Sequence, residues 1–333
     1  IEEVINNCIE RYYLKKRKSI KYTFQMVYNE CKDLNLKVPH INTLRKRIKE
    51  KPAEEVLRYR KGRSAARNKF KERPYHYHAE YPLMTAQIDH TLLDIILVDE
   101  KTRMPLKKPW ITILIDVYSR MILGFYISFD APGSYGTGRA IAHSILPKET
   151  YLAKMNVDTE WPCWGKMKTI HCDNAKEFKG KSLKKSALDY GINIVYRQVK
   201  VPEYGGHIER LMGTFATELI DLPGATKISK ELRSEFIPEK NAAFTLNEFE
   251  RWVTMFITHV YHKRIHSTIS TTPQEKWLQG IRGDANTKGI GIPERFTDAR
   301  RIMLDFMPLI YRTVQRQGVM IDNIHYHGEP LYK

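Results

Sequence analysis

Three acids in this sequence stand where a carboxylate needs a reason to be. Asp89 lies between Ile88 and His90 in the alternating, β-branched stretch TAQIDHTLLDIILVD (85–99). An acid inside an apolar strand is costly unless something compensates it. Asp173 ends the short apolar segment MKTIHCDN (167–174), and strand ends are where open α/β sheets place ligands. Glu209 falls four residues after Gly205, in the first turns of a predicted helix, GGHIERLMGTFATELI (205–220). Carboxylates are hard oxygen ligands, so three of them brought together suit Mg²⁺, with Mn²⁺ as a substitute. Two such ions, roughly 4 Å apart, would clamp the attacking and leaving oxygens of an in-line phosphoryl transfer. In that chemistry Asp89, Asp173 and Glu209 are both the metal ligands and the catalytic residues, supplying charge and position.

Taken singly, each acid also reads as a helix cap, a turn residue or half of a surface ion pair. Glu209 could pair with Arg210 or Lys200. Together they gain force, because 35 residues separate Asp173 from Glu209, and that interval holds a helix, a strand and a glycine turn. Rival acids are less well placed. Asp94 faces the other side of the strand from Asp89. Asp116 precedes a turn, Glu203 precedes the glycines, and Glu177 is too close to Asp173 to replace Glu209. His207, two residues before Glu209, could face a scissile phosphate. Arg210 could contact DNA or brace the fold. Tyr204, Gly205 and Gly206 read as a mobile loop at the site.

The elements that must position these acids follow from periodicity. Strands are expected over 85–99, 109–119 and 121–130, the last two joined by a tight turn near Ser119–Arg120. A helix near 137–146, a strand at 167–174, a helix at 182–191, a strand at 192–199, the helix at 205–220 and a long amphipathic helix at 245–266 follow. Three consecutive strands favour an antiparallel start, and the later alternation favours parallel strands. The expected class is α/β, with a mixed sheet of ribonuclease H-like order over residues 81–283. His262 and His266 sit four apart on the long helix, but no acid accompanies them, which favours packing or DNA contact over metal.

Upstream, helices are expected at 1–12, with LKKRKSIK (14–21) as a basic connector, at 23–34, with Phe24, Val27, Tyr28, Cys31 and Leu34 on one face, and at 41–50, with Asn42 or Thr43 as N-cap. Two helices, a short turn and a basic third helix make residues 1–50 a helix-turn-helix candidate, with Thr43, Arg45 and Lys46 reaching a major groove. A small helical bundle with a solvated basic face fits the same pattern. Residues 51–80 read as a basic linker that tracks DNA, with Arg58, Arg60, Arg63 and Arg67 on phosphates.

Charge agrees with this layout. The chain has 333 residues and a formal net charge of +17. Residues 1–80 hold 21 Lys and Arg against 10 Asp and Glu, so most of the excess lies in the first quarter. A polyanionic partner is implied, nucleic acid before others. Apolar residues make up 42% of the chain, enough for a sizeable core, which excludes a disordered polypeptide. Four cysteines without a CxxC pair argue against structural zinc and for a reducing cytoplasm. No run is long enough to span a membrane. A start at Ile1 rather than Met is expected of a fragment.

At the acids the chain resembles the DDE transposase and retroviral integrase superfamily, through QIDHT (87–91), HCDNAKEF (171–178) and PEYGGHIERLMGTF (202–215). YHKRIHSTISTTPQEKW (261–277) is similar to the family's closing segment, with His266, Pro273 and Trp277 in matching places. The second motif usually reads DNG and here has Asn174–Ala175. Within the superfamily the chain looks most like the TnsB transposases, relatives of phage Mu transposase. In them a small β-barrel follows the catalytic domain, and RIMLDFMPLIYRTVQRQGVMIDNIHYHG (301–328) resembles it. The resemblance implies a linker at 284–300 and part of a C-terminal β-barrel at 301–333. It implies an enzyme that binds transposon ends, cleaves at their 3′ ends and joins the 3′-hydroxyls to target DNA as a homo-oligomer. It also implies the ATPase TnsC as a partner, with or without the nuclease TnsA. A retroelement or insertion-sequence integrase, a domesticated DNA-binding protein and a ribonuclease H proper are the competing readings.

Overall fold

The computed structural model describes residues 1–70, 78–175, 178, 180–197, 205–227, 237–285 and 287–329. The chain divides into two compact units, Ile1–His76 and Tyr77–Lys333.

The first unit is helical. Helix α1 (Glu2–Cys8) runs on into a widened π-type segment, Ile9–Lys15, so the basic connector expected from residue 14 begins as helix. Helix α2 (Ile20–Asp33) starts where Ser19 Oγ accepts the Tyr22 amide at 3.1 Å. Its buried line is Thr23, Val27 and Cys31, residues four apart on one face, whereas Leu34, expected in that stripe, is 60% exposed beyond the helix end. Helix α3 (Ile41–Glu50) buries Leu44 and Ile48 against the same core. Its N-cap is His40, whose Nδ1 accepts from the Asn42 amide, and not Asn42 or Thr43. Arg47 clamps α3 to α1 through a bidentate pair with Glu2, at 2.6 and 2.7 Å. Residues expected as linker form two further helices, α4 (Ala53–Lys61) and α5 (Arg63–Phe70).

The second unit is built on a five-stranded mixed sheet: β1 (Thr85–Leu92), β2 (Trp110–Asp116), β3 (Ile122–Ser128), β4 (Thr169–Cys172) and β5 (Asn193–Tyr196). The spatial order is β3-β2-β1-β4-β5. The β1–β2 and β2–β3 pairs are antiparallel, and β1–β4 and β4–β5 are parallel, the mixture expected from element order. Strand β2 is buried from Ile111 to Asp116, as suits a strand covered on both faces. The turn to β3 carries Arg120 at φ 67°, and Asp116 closes it from within. Asp116 is fully buried and accepts from the Leu83 and Ser119 amides and from Ser119 Oγ, while burial pushes its carboxyl up to about 6.

Helix α6 (Ser134–Ile145) packs on β3, where a Cβ at Gly124 would come within 2.6 Å of Ser144 Oγ. Helix α7 (Glu149–Met155) follows, and α8 (Lys181–Asp189) bridges β4 to β5. Helix α9 (Gly206–Glu218) buries Ile208, Leu211 and Phe215. After the short α10 (Pro238–Asn241), the long helix expected at 245–266 is shorter. It is α11 (Leu246–Met255), opened by a Thr245/Glu248 capping box and continued by a π-type segment to Tyr261. Helix α12 (Pro273–Arg282) starts on a second capping box, Thr272 with Glu275, and buries Trp277.

The stretch assigned to a linker and a barrel folds differently at its start. Helix α13 (Ala299–Asp305) crosses residue 301 and puts Ile302 and Phe306 into the main core, because both are large apolar groups one turn apart. Beyond it, β6 (Val319–Ile321) and β7 (Ile324–Tyr326) form a hairpin whose Asp322 and Asn323 both have positive φ, the signature of a two-residue turn that matches strand twist. No other strands join this hairpin among the described residues.

Candidate functional site

The site starts from strand register. Strands β1 and β4 pair as Thr85 with Thr169, Ala86 with Ile170 and Gln87 with His171. Continued two residues, that register sets Asp89 beside Asp173. Side chains alternate along strands, so both acids share the face that carries Gln87 and His171. Helix α9 approaches this face. Its third amide, Ile208 N–H, donates to the fully buried Gln87 Oε1 at 3.1 Å. That bond satisfies one of the donors a helix start leaves free, and it moors the turn that carries Glu209 to the strand that carries Asp89.

The electrostatics agree. Burial raises the Asp89 carboxyl above its ordinary range, and the charges of Asp173 and Glu209 raise it further, against the His90 amide and Arg197, which lower it. The His90 amide donates to Asp89 Oδ1 at 2.8 Å. Arg197 Nη1 stands 3.6 Å from Asp89 Oδ2. Gly205 caps α9 as close as a backbone can come, since a Cβ there would lie 2.6 Å from Glu209 Oε1 and 2.7 Å from Arg197 Nη1.

The loop carrying Asp173 is pinned from several sides. Asp173 Oδ1 accepts the Ala175 amide at 2.9 Å. Asn174 Nδ2 donates to the Arg197 carbonyl at 2.5 Å, and the Arg197 amide donates to the Cys172 carbonyl at 2.9 Å. Phe178 stacks on His90 with centroids 4.7 Å apart, and its carbonyl accepts from Tyr196 Oη at 2.8 Å. Burial pushes His90 and His171 each down to about 4, so both rings are neutral near pH 7.

Of these residues, Gln87, His90, Phe178 and Arg197 carry no role in the sequence reading. Gln87 was findable: an amide side chain inside an apolar strand, two residues before the acid, needs a partner. Arg197 gave no local signal, because its position depends on how β5 lies beside β4.

The rivals are committed elsewhere. Asp94 pairs with Lys108 at 3.0 Å and Lys227 at 2.5 Å. His262 is buried, and its Nε2 accepts the Ile122 amide at 3.0 Å, which makes it a packing residue. His266 closes the turn to Thr271 through its own backbone. Glu177, Glu203, Tyr204 and Lys200 lie outside the described residues.

The expected DNA contacts are scattered. Arg45 and Lys46 are exposed on α3, with Arg45 Nη1 on Asn42 Oδ1 at 3.0 Å, and Thr43 is half-buried. Arg58 and Arg63 are exposed. Arg60 is engaged inside its unit, on the carbonyls of Tyr13 and Lys18 at 2.9 and 3.0 Å and 4.2 Å over the Tyr13 ring. The Arg67 side chain lies outside the described residues. His207 is half-buried on the first turn of α9, and Arg210 Nη1 donates to Thr268 Oγ1 at 2.9 Å.

As donors, three carboxylates fit a divalent ion, and the raised Asp89 carboxyl is what a cation among them would relieve. The described arrangement is not a closed cage: among the described residues no group of three or more His, Cys, Asp or Glu is gathered to hold a metal. Among the described residues, the cation paired with Asp89 is the Arg197 guanidinium.

Residues 87–224, which include all three acids, match the family model described as TnsB C-terminal domain. The transposase for transposon Tn552 of Staphylococcus aureus is 31% identical over 271 residues, 81% of this chain and 52% of that protein. The transposon Tn7 transposition protein TnsB of Escherichia coli is 37% identical over 83 residues, 24% of this chain and 12% of that protein. The chain therefore spans about half the length of the first relative and far less of the second. Among solved structures, the simian T-cell lymphotropic virus intasome in complex with PP2A regulatory subunit B56 gamma aligns at TM-score 0.41 and 13% identity, over 66% of this chain and 60% of that one. The HTLV-2 integrase catalytic core domain in complex with magnesium aligns at 0.33 and 15%, over 59% and 97%. The sequence matches uphold the resemblance to TnsB-like DDE transposases. No helix among the described residues is long and apolar enough to cross a membrane.

Proposed function

We propose that this chain, TnsB-like over residues 87–224, is the catalytic part of a DNA transposase that cleaves at the 3′ ends of a transposon and joins the freed 3′-hydroxyls to target DNA. The observation that supports the reading is that Asp89 and Glu209 lie on elements tied by the Ile208–Gln87 bond, with Asp173 just past the end of the strand paired to β1, all within the segment matched to that family.

Asp89, Asp173 and Glu209 would hold Mg²⁺ there, as two ions in the full reading. Bound divalent ions would supply charge neutralisation at the attacking and leaving oxygens. The chain's own work is positioning. Pairing of β1 with β2 fixes Asp89, the Ala175 amide holds the Asp173 carboxylate, and Gln87 fixes the start of α9 and so the glutamate. The neutral rings of His90 and His171 back the site without adding charge. His207 and Arg210, on the first turns of α9, would face the DNA backbone beside the reacting phosphate.

The helical unit would bind end DNA in the manner of a helix-turn-helix. Its support is a basic α3 that buries Leu44 and Ile48 and leaves Arg45 and Lys46 outward. Thr43, Arg58, Arg63 and Arg67 extend the proposed DNA path, and Arg60 would shape it from beneath. The hairpin β6–β7 would be part of a C-terminal barrel. A TnsC-type ATPase, a TnsA-type nuclease and further copies of the chain on DNA are the proposed partners, in a bacterial cytoplasm.

The test is strand transfer of labelled end DNA into a plasmid with Mg²⁺. Asp89→Asn, Asp173→Asn and Glu209→Gln should each reduce joining at least a thousandfold, the scale expected when an electrostatic anchor of phosphoryl transfer is removed, about 10³. End-DNA binding should persist. Robust joining by any one variant removes that residue from the site.

A further inference from the structure

We infer that Arg197 is a built-in counter-cation for Asp89 and Glu209, competing with a divalent ion for these carboxylates. The inference rests on the metal-site reading above and concerns a residue that reading does not use.

The guanidinium sits where a cation would. Its Nη1 is 3.6 Å from Asp89 Oδ2, and across the space that a Cβ would fill at Gly205 it faces Glu209 Oε1. Its backbone is tied to both neighbours of the third acid, through the Cys172 carbonyl and the Asn174 side-chain amide. The guanidinium thus lies beside Asp89 and Glu209, while the backbone of the same residue braces the loop that carries Asp173.

Its own hydrogen bonding is poor for its burial. The side chain is 11% exposed, yet the Asp89 contact is long, the bond from Nη2 to the Ile88 carbonyl is 3.5 Å, and the buried Nε has no partner among the described residues. A guanidinium carries five donors in a rigid fork and normally satisfies them when buried. Here charge compensation keeps it in place instead of good hydrogen bonds. Carboxylates near one another repel, and Arg197 offsets that repulsion at Asp89. A divalent ion compensates the same charge with shorter contacts. The backbone is fixed but the side chain has several rotatable bonds, so the head group can withdraw when the ion arrives.

The competition has a readout independent of catalysis. Mn²⁺ alone is titrated into the full chain by calorimetry, and melting is followed in EDTA and in Mn²⁺. Arg197→Gln should tighten the apparent Kd for Mn²⁺ by roughly tenfold, the ordinary size of a coupling between two sites. It should also melt lower than wild type in EDTA and gain more on adding Mn²⁺. Asp89→Asn should remove the binding in either background. A residue that merely braced the loop would give weaker metal binding on removal. A glutamine variant that is folded and binds Mn²⁺ no tighter than wild type overturns the inference. If that variant does not fold, Arg197→Lys carries the test. Its smaller, shorter-reaching head should give a Kd between the two, and a Kd at or above wild type overturns the inference. Wild type that binds no Mn²⁺ at all overturns both this inference and the metal-site reading.

Discussion

Asp89 shows how little a residue says alone. In the sequence it is one acid in an apolar strand; in the fold it has a neighbouring strand acid, a helix acid and a buried arginine around it. The residue that arranges the third acid is Gln87, whose Oε1 receives the Ile208 amide. Gln87→Met keeps the volume and removes the acceptor. Leaving that buried amide unpaired should cost about 1–3 kcal/mol. Urea denaturation should register this destabilisation, and strand transfer should fall while end-DNA binding stays. Unchanged stability and joining would mean that α9 is held by its apolar face alone. The three acids are candidates in the sequence because their spacing matches a motif. Gln87 and Arg197 are not, because each acts across a contact between elements far apart in sequence: Gln87 lies 121 residues from Ile208.

At the scale of elements, the sheet was the most legible part. Alternation located β1, β2 and β3, and the order of strands and helices predicted which pairs are antiparallel. Most strand boundaries lie inward by one to three residues, and β1 ends at Leu92 rather than 99, because apolar side chains continue past the last ladder hydrogen bond. The ends of the long helices were less legible. Residues 256–261 and 9–15 keep helical periodicity while widening into π-type turns, which residue type does not announce. Helix α13 was missed because its two core residues, Ile302 and Phe306, are too few to set a period. Its docking rests on Gly138 of α6, where a Cβ would collide with the Phe306 carbonyl. Gly138→Ala is a test of that docking. Alanine would gain about 1 kcal/mol of helix propensity. Overpacking should cost about 1–3 kcal/mol or more, so the clash wins. Thermal melting should show a drop of several degrees, and a rise in Tm would show that α13 does not need the close approach.

For the whole molecule, the charge distribution is decisive. The basic excess concentrated in residues 1–80 belongs largely to a separate helical unit with its own core of Val4, Ile5, Cys8, Val27, Cys31, Leu44 and Ile48. Several of its cations are engaged internally: Arg47 on Glu2 and Arg60 on two carbonyls. Composition could not separate these from cations available to a partner. End-DNA affinity of the full chain should fall steeply with salt, with a slope near −0.9 per phosphate neutralised. Arg45→Ala with Lys46→Ala should make that slope shallower by roughly one for each phosphate that α3 no longer neutralises. Filter binding or fluorescence anisotropy across a salt series gives the slope, and an unchanged slope would remove α3 from the DNA path.

Strands β1 and β4 run side by side and parallel up to the two aspartates. Asp89 lies in β1 and Asp173 just past the end of β4, so the paired strands hold their spacing like a fixed ruler. Glu209 rides on a helix moored to β1 by an amide and a side chain, so it behaves like the sliding jaw of a caliper. On the proposed function, a partner that grips or releases the start of α9 would set how far Glu209 stands from the two aspartates.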